Sequence, residues 1–175
     1  MKKPDILENL VNTVFLGLGS NLGNRKLNLE KAKYLLASKY IKITNCSKFY
    51  ETISWPNRRF PKYLNIVIKI KTSLKPEDLF YYIKIVEKCL GRTKSLKNYP
   101  RTCDIDILDY DGKCISIISK KNQILIPHPR LHQRSFVLLP LFEISKNWSH
   151  PKFKQNIYCF LSKISNIELR SIKLI

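Results

Sequence analysis

The order of strand-like and helix-like segments constrains the fold more than any other feature of this 175-residue chain. Short apolar or alternating runs predict four strands, at Thr13–Ser20, Lys42–Thr52, Tyr63–Lys71 and Thr102–Leu108. Apolar residues at helical spacing predict one helix after the capping residue Asn24 and a second helix that begins at Pro76. The resulting βαββαβ order is typical of a ferredoxin-like α+β domain.

The third predicted strand indicates which side of the sheet is buried. Its aliphatic residues fall on one face and its polar residues on the other, with Leu64, Ile66, Ile68 and Ile70 opposite Tyr63, Asn65 and Lys69. We therefore expect an antiparallel sheet with helices on one face and the active site on the other. A C-terminal extension follows this core, and residues 1–175 are expected to form a single domain.

The chain is strongly basic, with 32 Lys and Arg residues, 13 Asp and Glu residues and a formal net charge of +19. Nucleic-acid binding, an anionic substrate or a general preference for lysine could each produce this charge. The lysines are dispersed along the chain, which favours a preference for lysine combined with a phosphate-rich substrate. A basic ferredoxin-like RNA-binding domain is the alternative. Carboxylates predicted on the open face and the missing aromatic signature of an RNA-recognition motif argue against it.

No stretch of the sequence reaches the roughly 18–20 apolar residues that a membrane helix needs. The first ten residues include acids and no apolar block, so we predict no signal peptide, a cytoplasmic location and no membrane partner. The five cysteines are scattered without a CxxC pair, and we expect them to be reduced and mostly buried. The sequence shows no apolar stripe beyond those that the core needs, so a monomer is expected.

Asp104 and Asp106 are two residues apart in a predicted strand, so both carboxylates should emerge on one face. Two carboxylates this close repel each other unless a cation lies between them, and their hard oxygens suit Mg²⁺. A solvated acidic pair without a function is the alternative interpretation, because the DxD pattern alone is a weak motif.

Cations flank this strand on both sides in the sequence. Arg92, Lys94, Lys97 and Arg101 precede it, and His128, Arg130 and Arg134 follow it. Each could be an ordinary solvated side chain, but as a group they suit phosphate oxygens, which arginine grips with its planar fork. Phosphoryl transfer depends mainly on such electrostatic stabilisation.

Several residues could hold a flat heterocyclic ligand. Tyr63, Phe136 and Trp55 offer rings for stacking, and Asn65 offers an amide with both donor and acceptor edges. For any single aromatic residue, packing in the core is the alternative. The run Gly17-Leu18-Gly19-Ser20-Asn21 lacks the spacing of the known phosphate loops, so its glycines are interpreted as sites of close packing.

Five segments of the chain resemble the 6-hydroxymethyl-7,8-dihydropterin pyrophosphokinase family. They are Gly17–Arg25 (GLGSNLGNR), Ser47–Thr52 (SKFYET), Tyr63–Val67 (YLNIV), Pro100–Leu108 (PRTCDIDIL) and Ile126–Ile144 (IPHPRLHQRSFVLLPLFEI). The resemblance covers residues 13–145 approximately, and the spacing through the last two segments is highly specific.

The resemblance implies transfer of diphosphate from ATP to the hydroxymethyl group of 6-hydroxymethyl-7,8-dihydropterin, with release of AMP, in tetrahydrofolate biosynthesis. It implies that Asp104 and Asp106 bind two Mg²⁺ ions and that Arg92 and Arg101 are catalytic. The predicted ATP-binding residues are Lys84, Arg92, Lys94, Arg101, His128, Arg130 and Arg134. The predicted pterin-binding residues are Thr52, Ile53, Trp55, Tyr63, Asn65 and Phe136.

The chain departs from the family pattern in the basic loop before the DxD strand. It reads Asn98-Tyr99-Pro100 where the family often has an aromatic-Gly pair before Pro-Arg-Thr. Lys94 stands where a second loop arginine is common, and lysine keeps the charge without the bidentate grip. No metal ligand is lost, so we expect an active enzyme of modest rate, with a non-catalytic homologue as the alternative.

Overall fold

The computed structural model describes residues 12–92, 99–118 and 123–175. Its strands are β1 (Asn12–Ser20), β2 (Ile41–Cys46), β3 (Tyr50–Thr52), β4 (Tyr63–Thr72), β5 (Asp104–Tyr110), β6 (Ile115–Ile118), β7 (Gln123–Ile126) and β8 (Lys173–Leu174). Its helices are α1 (Arg25–Leu36), α2 (Pro76–Cys89), α3 (Ser135–Ile144), α4 (Ile157–Leu161) and α5 (Asn166–Arg170), with a 3-10 turn at Leu131–Gln133.

The main sheet is antiparallel, and β4 lies at its centre. β4 pairs with β1 along almost its whole length and with β2 and β3 along its other edge. β1 also pairs with β5, and β8 pairs with β3. β6 and β7 form a separate two-stranded sheet. The predictions of an α+β architecture and an antiparallel sheet are confirmed.

The first hydrophobic core lies between the main sheet and helices α1 and α2. Ile68 of β4, Leu29 of α1 and Ile83 of α2 all belong to it, and all three are at most 1% exposed. The cap of α1 is the predicted one, because the Asn24 Oδ1 accepts a hydrogen bond of 3.0 Å from the Leu27 N–H. The aliphatic face of β4 is buried as its alternation predicts.

The opposite face of the sheet is covered along its middle. Phe15, Val67 and Leu108 pack there with Leu138 of α3 and Phe160 of α4 in a second core. The prediction of helices on one face alone is therefore wrong in part, because α3 is apolar on several sides and buries its surface against the sheet. The end of this face where β4 and β5 begin is left open.

The predicted strand Lys42–Thr52 is divided into β2 and β3. The backbone N–H of Ser47 donates to the Val67 carbonyl at 2.9 Å, and the Ser47 Oγ accepts from the Val67 N–H at 3.0 Å. A side-chain oxygen thus replaces a backbone carbonyl in the ladder, and regular pairing stops at this residue.

The last predicted core strand is displaced along the chain. It begins at Asp104, two residues after the predicted start, and it ends at Tyr110, two residues after the predicted end. The turn predicted at Asp109–Gly112 is confined to Asp111 and Gly112, whose φ angles of 54° and 65° lie in the left-handed region.

A cluster of aromatic rings joins the C-terminal segment to the second core. His150 is 2% exposed, and the ring centroids of Phe153 and Trp148 lie 4.6 and 5.6 Å from its own. Its Nδ1 accepts a hydrogen bond of 3.2 Å from the Lys152 N–H, so the neutral ring carries its proton on Nε2. Burial, together with a smaller effect of the neighbouring His132, lowers the pKa of His150 to about 4.

We expect the folded state to lose stability as the pH falls from about 6.5 towards 4. The unfolded chain binds the His150 proton near pH 6.5, whereas the folded chain binds it only near the lower pKa of about 4. The contribution of His150 to the free energy of unfolding is complete above roughly pH 6.5. It is smaller by about 2 kcal/mol at pH 4.5. Urea denaturation at pH 7.5 and 4.5 should show a smaller pH difference for His150→Phe than for the wild type. Equal differences in the two proteins would contradict this expectation.

The cysteine prediction is partly wrong. All five cysteines are free, as expected, but Cys46, Cys89, Cys114 and Cys159 are exposed and Cys103 alone is buried. Cys103 directly precedes β5 and lies in the first core with Ile105 and Ile107, so it continues the alternation of that strand. In the described parts of the chain, no helix combines the length and the apolar character needed to span a bilayer.

Candidate active site

Strand register brings polar side chains together at the open end of the second sheet face. Gly19 of β1 lies between Asn65 of β4 and Asp104 of β5 in one row across three strands. Gly17 lies beside Asp106 in the next row on the same face. Because glycine has no side chain, the row leaves a gap between the Asn65 amide and the Asp104 carboxylate.

Gly19 is required here by close approach. A Cβ at this position would lie 3.0 Å from the Asn65 Oδ1 and 3.5 Å from the Tyr63 Cδ1. At Gly17 an added Cβ would lie 3.2 Å from a methyl carbon of Leu108. These contacts agree with the interpretation of the glycine run as a site of close packing.

The polar side of the gap is held by β3 and β4. Asn65 is 6% exposed, and its Nδ2 donates to the Thr52 Oγ1 at 2.9 Å. Tyr63 pairs with Thr52 across the strands. Burial raises the pKa of the Tyr63 hydroxyl and the nearby Arg101 opposes the rise. Three of the predicted pterin-binding residues, Thr52, Tyr63 and Asn65, are therefore adjacent.

The remaining predicted pterin-binding residues differ in their surroundings. Phe136 is half-buried in the first turn of α3, and the Arg134 guanidinium lies 5.5 Å from its ring centroid. Ile53 and Trp55 follow β3 and are 41% and 70% exposed. They lie near Thr52 in the chain, but their side chains face solvent.

Asp104 forms ion pairs with two arginines. Its Oδ1 lies 2.7 Å from the Arg92 Nη1, and its Oδ2 lies 3.2 Å from the Arg101 Nη1. Burial alone would lower the pKa of Arg92, but Asp104 and Glu87 outweigh that effect and raise it. Both predicted catalytic arginines are thus directed at the first carboxylate of the DxD pair.

Asp106 contacts an arginine and a histidine that follow the strand. Its Oδ2 lies 3.4 Å from the Arg134 Nη1 and 3.8 Å from the His128 Nε2. Burial lowers the pKa of His128, Asp106 opposes this effect, and Arg134 and Arg130 add to it. Sequence positions that are up to 42 apart, from Arg92 to Arg134, therefore converge on one carboxylate pair.

Three further residues predicted to bind ATP have separate environments. Arg130 is exposed, and its N–H donates to the His128 Nδ1 at 3.1 Å. The Lys84 Nζ lies 2.8 Å from the Glu87 Oε2. Lys94 lies outside the described residues, as does Lys97. Tyr99, the residue that departs from the family pattern, lies against the Phe60 ring at a centroid distance of 5.4 Å.

Glu87 is the main site residue that the predicted site did not include. It is 2% exposed, bonds to Arg92 and accepts a 2.8 Å hydrogen bond from the Ile105 N–H, between Asp104 and Asp106. It thereby connects α2 to the DxD strand and orients Arg92. The sequence signal was weak, because an acid in the last turn of a helix usually faces solvent.

Asn21 is a second missed residue. It is 1% exposed, its Oδ1 accepts from the Arg101 N–H at 2.8 Å, and its Nδ2 donates to the Pro61 carbonyl at 3.3 Å. Asn21 thus joins the segment before Asp104 to the segment before Tyr63. Its position directly after the glycine run was the available signal.

The arrangement can bind an anionic ligand through cations and a hard metal ion through carboxylates. Asp104 and Asp106 are partly exposed, at 30% and 38% of their side-chain areas, so a ligand can reach them. In residues 12–92, 99–118 and 123–175, no group of three or more His, Cys, Asp or Glu side chains converges on a point. Two carboxylates therefore form the candidate metal position.

Comparisons with known proteins agree on one family. The sequence profile described as 7,8-dihydro-6-hydroxymethylpterin-pyrophosphokinase (HPPK) matches residues 15–146. The 2-amino-4-hydroxy-6-hydroxymethyldihydropteridine pyrophosphokinase of Aquifex aeolicus is 41% identical over 143 residues, which are 82% of this chain and 86% of that protein. The protein of the same name from Bacillus subtilis is 38% identical, over 76% of this chain and 78% of its own length.

Longer proteins also match. The folic acid synthesis protein fol1 of Pneumocystis carinii is 37% identical over 91% of this chain, which spans 21% of that protein. A crystal structure of Plasmodium falciparum HPPK-DHPS with pteroate has a TM-score of 0.78 at 18% identity, over 99% of this chain and 48% of that one. The structural likeness shows a shared fold, while the profile and the sequence relatives show that the chain belongs to the 7,8-dihydro-6-hydroxymethylpterin-pyrophosphokinase family.

Proposed function

We propose that this chain transfers diphosphate from ATP to the hydroxymethyl group of 6-hydroxymethyl-7,8-dihydropterin, releases AMP and serves tetrahydrofolate biosynthesis. The observation that carries the proposal is the convergence of three arginines and His128 on the Asp104 and Asp106 pair. Family membership supports the reaction, and the relatives of similar length bear the name of this activity.

We infer that Asp104 and Asp106 would hold Mg²⁺, with two ions as the expected number. The donor set fits this metal, because Mg²⁺ prefers oxygen ligands and usually takes one or two protein carboxylates. When bound, Mg²⁺ supplies positive charge that polarises phosphoryl oxygens. Arg92, Arg101 and Arg134, which pair with these carboxylates here, would then be available to the ATP phosphates. Arg130 would be a further ATP contact.

Arg92 and Arg101 would stabilise the charge that spreads over the transferred group. The hydroxymethyl oxygen of the pterin attacks the β-phosphorus of ATP and loses its proton to solvent. The bond from that phosphorus to the oxygen bridging to the α-phosphate breaks, and AMP leaves with this oxygen. Both guanidinium groups already lie against Asp104, so little rearrangement is needed to reach a phosphate beside it. Glu87 would keep Arg92 in place.

The gap beside Gly19 would hold the pterin. The buried amide of Asn65 can pair with ring nitrogens and the ring carbonyl, Tyr63 borders the gap, and Phe136 offers a face for stacking. The Thr52 hydroxyl fixes the Asn65 amide through its hydrogen bond of 2.9 Å. Ile53 and Trp55 would contribute contacts from the turn after β3.

The strand order β5-β1-β4-β2 supports a ferredoxin-like core, to which the segment after residue 146 adds α4, α5 and β8. We also propose that residues 1–175 act as one domain, as a monomer and in the cytoplasm. The basic RNA-binding alternative is not favoured, because the family profile and the named relatives are pyrophosphokinases.

The deciding experiment measures AMP release from ATP and Mg²⁺ in the presence of 6-hydroxymethyl-7,8-dihydropterin or of 6-methyl-7,8-dihydropterin. AMP should form with the first compound alone, because the second has no hydroxyl to accept diphosphate. ATP binding without AMP release would identify a non-catalytic homologue. Salt-sensitive RNA binding with neither ligand bound would favour the alternative function.

We expect Gly19→Ala to weaken pterin binding at least tenfold or so, because the added Cβ would lie 3.0 Å from the Asn65 Oδ1 and displace the amide. ATP affinity should change less than about twofold. Equilibrium titration with each ligand separates these effects. Gly17→Ala is the matched control, since its added Cβ meets the apolar side chain of Leu108 and not the Asn65 amide. Equal losses in both variants would contradict the assignment.

A further inference from the structure

A cavity lies outside the candidate active site, between the 3-10 turn and the C-terminal segment. It has a volume of about 510 Å³, within the range of small-molecule sites. Its lining includes His132, Phe153, Gln155, Phe160, Lys163 and Glu168. None of these residues belongs to the predicted ATP or pterin sites, and the proposed reaction uses none of them.

Aromatic rings and one unsatisfied nitrogen form part of its wall. The His132 ring lies edge-on to Phe153 at 4.8 Å and to Phe160 at 6.0 Å between ring centroids. The His132 Nδ1 is buried and has no hydrogen-bond partner among the described residues. Buried polar atoms normally have a partner, so this nitrogen is an exception in the wall of the cavity.

Two opposite charges line the same cavity without neutralising each other. In the described part of the chain, neither Lys163 nor Glu168 has an oppositely charged side chain within 4.0 Å. Lys163 lies over the Phe160 ring, with its Nζ 5.9 Å from the centroid. Glu168 uses one carboxylate oxygen to accept from the Ser135 Oγ, and no described residue donates to the other.

We propose that this cavity binds a small aromatic molecule that carries both an ammonium and a carboxylate group, as an aromatic α-amino acid does. The ligand ring packs against Phe153 and Phe160, its carboxylate pairs with Lys163, and its ammonium pairs with Glu168.

One hydrogen bond connects the cavity to the segment that carries Arg134 and Phe136. Ser135, which bonds to Glu168, stands between Arg134 and Phe136 at the first turn of α3. A ligand ammonium can bond to the Glu168 carboxylate oxygen that Ser135 does not use. The proposal concerns binding alone and does not depend on the pyrophosphokinase reaction.

Isothermal titration of the full chain tests it with L-phenylalanine, 3-phenylpropionate, which lacks the amine, and 2-phenylethylamine, which lacks the carboxylate. L-Phenylalanine should bind at least about tenfold more tightly than either analogue. Lys163→Gln should abolish its advantage over 2-phenylethylamine, and Glu168→Gln its advantage over 3-phenylpropionate. The control variants are Lys39→Gln, after α1, and Glu30→Gln, on α1. Both should retain both preferences. Equal binding of all three compounds, or no binding, would overturn the proposal.

Histidine-selective nitrogen-15 labelling locates the ligand independently, because the chain has three histidines. Added L-phenylalanine should shift the ring signals of His132, assigned with His132→Gln, and leave those of His128 unchanged. Shifts confined to His128 would mean that the compound binds at the candidate active site, and the proposal would fail.

Discussion

Asp104→Asn will lower kcat/KM for AMP formation at least a thousandfold or so, which is roughly 4 kcal/mol of transition-state stabilisation. The substitution keeps the size of the side chain and removes the charge that pairs with Arg92 at 2.7 Å and Arg101 at 3.2 Å. The proposed Mg²⁺ position loses half of its protein carboxylates at the same time. Initial rates at several Mg²⁺ concentrations measure the effect, and added Mg²⁺ should restore little of it.

Asp111→Asn is the matched control for this substitution. Asp111 is an acid of the same chain that pairs with Lys113 at 2.9 Å in the turn after β5, beyond the far end of the strand from Asp104. Its activity should remain within a factor of two or so of the wild type. If Asp104→Asn retained a tenth of the wild-type rate, the carboxylate pair would not be the centre of the reaction.

Glu87→Ala will lower the free energy of unfolding by about 3 kcal/mol, because it removes a buried anion whose partners remain. The Ile105 N–H loses its 2.8 Å hydrogen bond, and Arg92 and Lys84 lose the carboxylate between them. Activity should fall more than the folded fraction does, because Arg92 and the DxD strand are no longer held together. Urea denaturation and steady-state kinetics on the same preparation separate the two losses.

Glu30→Ala gives the comparison for an exposed acid. Glu30 pairs with Lys33 at 2.9 Å on α1 with 46% of its side chain exposed, so its removal should change stability by less than about 0.5 kcal/mol. A similar loss of unfolding free energy in both variants would show that the effect of Glu87→Ala does not come from the burial of its carboxylate. Glu87→Gln adds a test of charge, since it retains one acceptor for Ile105.

Residues that alternate along strands could be predicted well from the sequence. Tyr63, Asn65, Asp104 and Asp106 were assigned to one face by a period of two, and strand register brings them to one end of the sheet. This inference needs only local geometry, because side chains two apart in a strand always share a face. Their roles toward ATP, pterin and metal remain proposals.

Contacts between distant segments could not be predicted in the same way. Asn21 bonds to the backbone of Arg101, 80 residues away, and Glu87 bonds to the backbone of Ile105. A backbone partner leaves no trace in the identity of the residue that supplies it. Ser47 interrupts a strand for a similar reason, since its hydroxyl takes the place of a carbonyl in the ladder.

Helix α3 shows the limit of a fold-level rule. The ferredoxin-like pattern leaves one sheet face bare, whereas α3 packs on Val67 and Leu108 of that face. The rule describes six core elements and does not account for an apolar helix that comes later in the chain. Its apolar character was visible in the sequence, but the surface that it covers was not.

The central position of β4 has a consequence for how the protein would lose activity on heating. This strand is hydrogen-bonded along both edges and packed on both faces, so its amide hydrogens should be among the slowest to exchange with deuterium. Tyr63 and Asn65 belong to that strand. The gap proposed to hold the pterin is thus built on the part of the chain that should open last, and thermal inactivation should coincide with cooperative melting of the whole sheet.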